Sequence, residues 1–150
     1  MLISAMAAIA VLGAATPILA QDPAAAAQAR HDHFKEIGKS MKGISDQLKS
    51  VQPSLPQIQV YAKRVDELAP QIPGWFPPGT GPESGIKTHA KAAVWKNPGE
   101  FKKDAAAFAV EAHNLALAAA SGDLKAVGVA AETVGKTCGA CHKVFREKED

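Results

Sequence analysis

The chain has 150 residues, enough for one domain with a hydrophobic core, and a formal net charge of +2. This charge is too small to indicate a nucleic-acid partner. Alanine is abundant and aromatic residues make up only 5%, with a single tyrosine, which favours helices over a β-sheet. Both cysteines belong to one short motif, so none is left to build a disulfide framework.

The first twenty residues carry no charged side chain and include an apolar run. Polar Gln21 and Asp22 follow, so segment 1–20 has the pattern of a secretory signal peptide cleaved after Ala20. It lacks the usual lysine or arginine, and about twenty apolar residues would also suffice for an uncleaved membrane anchor. We predict cleavage, export, and no stable membrane insertion of the mature chain 21–150.

Two helices are predicted next. Asp22 and Pro23 combine an N-cap with a proline at the first helical position, and no residue stops this first helix before about Ser50. Its apolar positions step by three or four residues, as in the seam of a bundle helix. They are Phe34, Ile37, Met41, Ile44 and Leu48. Ser54 can cap a second helix, which Pro70 is expected to kink or stop. The apolar positions of this helix are Ile58, Tyr61, Val65, Leu68 and Ile72.

Segment 73–82 breaks the helical pattern with four prolines and three glycines in ten residues, which predicts a loop. Periodicity stays weak as far as Trp95. A long irregular segment in a compact domain usually has a function. Trp75 and Phe76 could cover one edge of a cofactor, or they could fill the end of a helical bundle. The sequence leaves both interpretations open.

Asn97 and Pro98 predict the start of a third helix, again with a cap before a proline. Its apolar positions are Phe101, Ala105, Phe108, Ala112, Leu115 and Ala119. Segment 121–123 closes this helix and caps a fourth, and Gly122 suits the left-handed C-terminal position. The inward positions of the fourth helix are Leu124, Val127, Ala131, Val134, Cys138, Cys141 and Phe145. Four amphipathic helices with two short connections and one long one predict an all-α antiparallel four-helix bundle.

The fourth helix carries Cys138-Gly139-Ala140-Cys141-His142, the spacing that attaches a c-type haem. Each thiol can add to a haem vinyl group, and helical positions i, i+3 and i+4 share one face. The cysteines would hold the porphyrin while the His142 imidazole binds the iron. A disulfide or thioredoxin-like pair is disfavoured because no strand precedes the motif. A zinc site would need more ligands. We predict one covalent haem c per chain. Such haem is generally attached outside the bacterial cytoplasm, which favours the periplasm.

Four helices with the haem motif on the last one resemble the cytochrome c′ family, and the resemblance covers the mature chain 21–150. Family members carry an arginine on the first helix and, four residues later, the side chain facing the open side of the iron. Arg30 and Phe34 match these positions, and Arg146 matches an arginine four residues after the haem histidine. The resemblance implies that Arg30 pairs with a haem propionate and that Arg146 lies close to the proximal face. An ordinary surface ion pair is the alternative for Arg30.

Position 34 departs from the family pattern. Low-spin relatives have a methionine there whose sulfur binds the iron, and high-spin members have a methionine or leucine held away from it. Because phenylalanine has no lone pair, the resemblance implies five-coordinate iron, with His142 on one side and Phe34 shielding the other. Met41 is two turns away and His33 is expected to face solvent. His31, three residues before Phe34, is the main competing ligand.

The site predicts a periplasmic electron carrier, or a protein that binds or senses nitric oxide or carbon monoxide at the open distal side. Basic residues on the last helix could steer an acidic redox partner, or could simply be a solvated helix end. They are Lys136, Lys143, Arg146 and Lys148. A haem enzyme such as a peroxidase is disfavoured because Phe34 supplies no acid–base group, so we predict a protein that is not an enzyme. Family members are commonly homodimers through the first two helices, which the spacing does not establish here.

Overall fold

The computed structural model describes residues 22–148, and the predicted signal peptide 1–20 lies outside them. The described residues form five α-helices and two 3-10 helices. The α-helices are α1 (Pro23–Lys49), α2 (Leu55–Leu68), α3 (Ala93–Lys96), α4 (Pro98–Ser121) and α5 (Leu124–Phe145). The 3-10 helices are Ala69–Trp75 and Pro82–Ser84. Within residues 22–148, no helix combines the length and apolar character needed to cross a membrane.

The long helices α1, α2, α4 and α5 form a four-helix bundle, as predicted. Helix α4 packs extensively against both α5 and α2, and α1 packs against α2. Contact between α1 and α5 is much sparser, so the bundle is least closed along this side. The short connections 50–54 and 122–123 turn the chain back between sequential helices, whereas α2 and α4 are joined by the long segment 69–97.

The predicted seams form the core. All the apolar positions assigned to the third predicted helix are buried in α4. In α1, Ile37 and Ile44 are buried, with Phe34, Met41 and Leu48 partly buried around them. This alternation of fully and partly buried positions places the α1 seam at the edge of the core, where it faces the loosely packed side of the bundle.

Side-chain caps form at two of the four helix starts predicted to have them. Asp22 accepts a hydrogen bond from the Ala24 backbone N–H (3.0 Å), and Asp123 caps α5. Ser54 and Asn97 are the N-cap residues of α2 and α4, as predicted, but neither side chain accepts a capping hydrogen bond. Pro56 removes a donor from the first turn of α2, and the ψ of 57° at Asn97 departs from the extended backbone that a cap requires.

Pro70 ends α2 earlier than the apolar pattern suggested. The α-helix stops at Leu68 and the chain continues as the 3-10 helix Ala69–Trp75, in which Ile72 is still buried. Proline lacks the N–H of an α-helical bond, and the tighter 3-10 geometry accommodates the loss. Residues 76–81 are irregular, as predicted for segment 73–82, and the weakly periodic stretch after them contains a second 3-10 helix and α3.

A bidentate ion pair joins α1 to α2. The Arg64 guanidinium donates to both carboxylate oxygens of Glu36, from Nε at 2.6 Å and from Nη2 at 2.9 Å. The pKa of Glu36 is lowered, chiefly by this hydrogen bond from Arg64. A carboxyl with a lowered pKa stabilises the fold above its unfolded pKa, and that contribution disappears as the pH falls through the folded pKa.

We therefore expect Glu36→Gln to lower the melting temperature at pH 7 by a few degrees, since a bidentate pair is stronger than an ordinary surface pair. The difference from wild type should shrink as the pH falls below 4.5, the ordinary pKa of glutamate. Thermal unfolding followed by circular dichroism at pH 3 and pH 7 measures the difference in melting temperature at each pH. Asp46→Asn, which removes an exposed pair with Lys42 within α1, is the control and should change little. A Glu36→Gln loss that is equal at both pH values would contradict the assignment.

Candidate functional site

The Cys138-to-His142 motif lies in the last turns of α5. Cys138 and Cys141 are half-buried, pack against the hydrophobic core and are free thiols, so the two do not form a disulfide. Val134 and Phe145 are buried on either side of the motif and fix the rotation of α5 at this level. The spacing of the cysteines on one helix therefore presents both sulfurs at the inner face of the bundle.

Both thiols are held in the protonated form. Burial raises the pKa of Cys138. The pKa of Cys141 is raised to about 11, first by burial and then by the negative charge of Asp104. A thioredoxin-like redox pair needs a thiolate stabilised near neutral pH. Here the surroundings raise the pKa of both cysteines, which argues against a thioredoxin-like redox pair.

His142 is exposed at the helical turn that follows Cys141. Its pKa is lowered, first by the partial burial of the ring and second by the positive charge of Arg146. Both effects favour the neutral imidazole, which is the form that binds a metal. Arg146, directly after α5, donates its backbone N–H to the His142 carbonyl at 3.0 Å.

The segment before α3 pairs with the end of α5. Ala90 and Arg146 form an isolated antiparallel bridge. The Lys91 N–H donates to the Phe145 carbonyl at 2.9 Å, and the Glu147 N–H donates to the His89 carbonyl at 2.8 Å. No spacing rule in the sequence indicated this pairing, because it joins residues more than fifty positions apart.

Helix α1 presents an apolar surface on the side of the bundle where it contacts α5 least. Phe34 and Met41 are partly buried there. A groove of about 300 Å³ runs between the two helices farther from the motif. Its lining residues are Met41, Ser45, Leu48, Lys49, Gly128, Ala131 and Glu132. Two free thiols packed against the core, an imidazole in the following turn and apolar side chains of α1 packed against the same core fit a haem c.

Two glycines of α5, Gly128 and Gly135, have open space around them. A Cβ atom added to either would meet nothing within 4 Å, so neither glycine is required by a close neighbour.

Phe34 belongs to an aromatic cluster at this end of the bundle. Its ring lies edge-on to Trp75 with ring centroids 5.2 Å apart, and 6.1 Å from the ring of Phe76. Phe76 also packs against Phe101 at 4.7 Å, and Phe101 against Phe145 at 5.3 Å. Trp75 and Phe76 are both half-buried and pack against the core at this end of the bundle, which leaves open whether they also cover a cofactor.

His33 stacks on the Trp75 ring, with centroids 4.7 Å apart and planes 26° from parallel. It is half-buried, so the prediction that it faces solvent was wrong. The 3-10 helix that follows α2 carries Trp75 over this face of α1, which the pattern of α1 alone could not indicate. His31 is exposed, and Met41 lines the groove two turns from Phe34.

Arg30 is 4% exposed, so the alternative of an ordinary surface ion pair was wrong. Its guanidinium donates four hydrogen bonds into the segment that follows α2, to acceptors on Trp75, Thr80 and Thr88. Burial lowers the pKa of this guanidinium. Among residues 22–148, no carboxylate lies within ion-pair distance of it. Sequence reasoning missed Thr80 and Thr88, since isolated threonines in a loop carry no distinctive signal.

Comparison with known proteins agrees with this geometry. The sequence model of the family described as Cytochrome C' matches residues 25–146. A cytochrome c' of Pararhodospirillum photometricum is 38% identical over 126 residues, which cover 83% of this chain and 98% of that protein. A solved cytochrome c' with an unusual ligand-controlled dimer dissociation superposes with a TM-score of 0.80 at 26% identity, covering 86% of this chain and 99% of that one.

A second solved structure is a nitric oxide complex of a mutant cytochrome c prime from Alcaligenes xylosoxidans. It superposes with a TM-score of 0.77 at 25% identity and covers 86% of this chain and 98% of that one. The family match, the sequence identity over most of both chains and the shared bundle all point to one conclusion. The chain belongs to the cytochrome c′ family, a family of haem c proteins.

Proposed function

We propose that this chain is a periplasmic electron-transfer protein that holds one haem c through thioethers to Cys138 and Cys141, with His142 as the axial iron ligand. The observation that carries the proposal is the arrangement of two free, half-buried thiols and an imidazole with a lowered pKa within two turns of one helix. The haem, when bound, supplies one-electron redox chemistry and a site for small ligands. The chain contributes ligation, burial and charge.

Phe34 defines the distal side in this proposal. It is partly buried, it is surrounded by the rings of Trp75 and Phe76, and it has no atom that could bind iron. An apolar ring at this position keeps water away and leaves His142 as the single strong ligand. The iron would then be five-coordinate, and a lone imidazole gives a lower reduction potential than a histidine–methionine pair.

The two arginines contribute positive charge to the proposed site. Arg30 is buried without a carboxylate partner among the described residues. Its two terminal nitrogens already donate four hydrogen bonds, so a haem propionate would pair with it through the remaining Nε–H. Arg146 lowers the pKa of His142 through its charge, which supports a position close to the proximal face. An exported chain is also consistent with covalent haem attachment outside the cytoplasm.

A basic surface beside the haem motif supports an acidic redox partner. The backbone pairing of Ala90 with Arg146 brings a loop segment to the end of α5, where the Lys91 ammonium donates to the Lys143 carbonyl at 3.2 Å. Arg146 and Lys148 follow Lys143 in the sequence, and the acidic Glu147 lies between them. Clustered positive charge of this kind accelerates encounters with acidic proteins in a salt-dependent way. Lys136, in contrast, is paired with Glu132 at 2.7 Å.

Binding of nitric oxide or carbon monoxide is the second candidate function. Phe34 offers no hydrogen bond, so the distal side suits small apolar ligands better than polar ones. A cytochrome c prime from Alcaligenes xylosoxidans has been solved as a nitric oxide complex, which supports this role for a related bundle. We infer no peroxidase or other enzymatic activity, because Phe34 supplies no acid–base group.

We also propose that the chain forms a homodimer through α1 and α2. These helices border a groove of about 510 Å³, and the exposed Val60 lies beside Tyr61 on its α2 side. The rest of the groove lining is mostly charged, so a second copy would meet ion-pairing groups of both helices around the side chains of Val60 and Tyr61. A cytochrome c' with ligand-controlled dimer dissociation supports this assembly for the fold.

The haem assignment predicts the mass of the exported protein. Purified wild-type protein should weigh one haem more than the mature polypeptide 21–150, and Cys138→Ala together with Cys141→Ala should remove the covalent haem. Mass spectrometry of the denatured protein measures the attachment. Thr137→Ser, which keeps a hydroxyl beside the motif, is the control and should retain the haem. A colourless wild-type protein with the mass of bare polypeptide would contradict the proposal.

The five-coordinate assignment predicts a high-spin ferric absorption spectrum at neutral pH, and carbon monoxide binding by the ferrous protein. Because Phe34 cannot bind iron, Phe34→Met should supply a sulfur ligand and convert the spectrum towards low spin. His31→Ala should leave the wild-type spectrum unchanged. A low-spin wild-type protein that becomes high-spin in His31→Ala would instead identify His31 as the sixth ligand.

The basic surface predicts salt-dependent electron transfer. Oxidation of the ferrous protein by the ferricyanide anion should slow with increasing salt, and Lys91→Glu with Lys143→Glu should slow it about five- to tenfold at low ionic strength. A tris(phenanthroline)cobalt(III) cation should show the opposite trend. Lys49→Glu with Lys125→Glu, at the end of α1 and the start of α5, makes the same change in net charge away from the motif and is the matched control. Equal rates for the double variant and the control would rule out this surface.

A further inference from the structure

Arg30 joins helix α1 to the segment that carries Trp75 and Phe76. Its Nη1 donates to the Trp75 carbonyl at 3.2 Å and to the Thr80 hydroxyl at 3.0 Å. Its Nη2 donates to the Thr80 carbonyl at 3.0 Å and to the Thr88 hydroxyl at 3.0 Å. Both terminal nitrogens are thus used twice, and every acceptor lies within residues 75–88. One side chain fixes three separate points of this segment.

The guanidinium also packs on two aromatic rings, those of Phe76 in this segment and Trp95 in α3. Its central carbon lies 4.6 Å from the centroid of the Phe76 ring and 5.7 Å from that of Trp95. Ring faces attract a cation over these distances. Since the described part of the chain offers Arg30 no carboxylate, the buried charge depends on carbonyls, hydroxyls and ring faces. Hydrogen bonds and ring-face contacts are directional. They therefore fix the position of the guanidinium relative to this segment as well as stabilising its charge.

Further hydrogen bonds extend from Arg30 through the segment. The Thr80 hydroxyl donates to the Pro77 carbonyl at 2.8 Å, and the Trp95 indole N–H donates to the same carbonyl at 3.1 Å. Thr80 is 2% exposed. The Thr88 hydroxyl also accepts the Ala90 backbone N–H at 3.1 Å. Side chains therefore hold this segment where regular backbone bonding is scarce.

The residues held in this way contact Phe34. The Trp75 ring meets the Phe34 ring edge-on at 5.2 Å, and the Phe76 ring lies 6.1 Å from it. Arg30 donates a hydrogen bond to the backbone carbonyl of Trp75 and packs on the ring face of Phe76. The position of the Phe34 ring is consequently limited by two residues that Arg30 fixes.

We propose that Arg30, Thr80 and Thr88 form a positioning clamp that holds Trp75 and Phe76 against Phe34 and so restricts the access of diatomic ligands to the distal side of the haem. This inference rests on the proposed haem site. The clamp residues act through the two aromatic residues, and none of them needs to touch the ligand. The role is separate from any charge pairing between Arg30 and a propionate.

Two threonine variants test the clamp without removing the charge of Arg30. Thr80→Val removes one acceptor of Arg30 and the donor to Pro77 with little change in shape. Thr88→Val removes one acceptor at the half-buried edge of the network and serves if Thr80→Val does not fold. Ser84→Ala is the matched control, because its hydroxyl donates to the Gly79 carbonyl in the same segment and does not contact Arg30.

Two measurements on the haem-loaded protein report the two parts of the proposal. Hydrogen–deuterium exchange of a peptide covering residues 73–81 should accelerate about tenfold in the threonine variants, as expected for a lost buried hydrogen bond. Carbon monoxide association with the ferrous protein after flash photolysis should accelerate about threefold or more, if a cover that opens more often admits ligand more often. Ser84→Ala should match wild type in carbon monoxide association.

Faster exchange together with faster carbon monoxide association supports the clamp. Faster exchange with unchanged association overturns the link to ligand access, and unchanged exchange overturns the clamp itself. A shifted reduction potential with unchanged exchange and association would assign the network to haem charge alone. If wild-type protein binds no carbon monoxide although it contains haem, the five-coordinate proposal fails, and the exchange measurement still reports whether the threonines hold the segment.

Discussion

The packing of α5 against α4 determines where the haem motif lies. Val127 and Val134 are buried and Phe145 meets Phe101 of α4, so the rotation of α5 about its own axis is set above and below the cysteines. A helix turns by about 100° per residue, so a shift of one residue would move both sulfurs away from the inner face. The buried side chains of α5 therefore also determine the direction in which Cys138 and Cys141 point.

Much of the fold could be predicted because it depends on local patterns. The three- and four-residue spacing identified the bundle helices, and Asp22 and Asp123 could be assigned as caps from neighbouring residues alone. The haem motif is likewise local, since its chemistry needs only five consecutive residues. Family membership, which the resemblance predicted, is confirmed by relatives that match over most of the chain.

The surroundings of the motif could not be predicted in the same way. Arg30 is buried only because residues 45 to 58 positions later fold over it, and its place on α1 gives no sign of this. His33 is half-buried for the same reason, because Trp75 lies against it. The 3-10 helix after Leu68 leads to both features, since it determines where the following segment returns to α1. Contacts between distant parts of the chain thus decide the environment, while local spacing decides the ligands.

The short backbone pairing between residues 89–91 and 145–147 has a mechanical consequence for His142, the proposed iron ligand. Helix ends usually fray, because their last carbonyls lack partners within the helix. Here the Phe145 carbonyl receives the Lys91 N–H, and the chain just beyond α5 donates to His89. The turn bearing His142 is consequently tethered from outside the helix. An imidazole on a tethered turn keeps a fixed orientation. A metal bound to it would then require less structural rearrangement each time the charge of the metal changes.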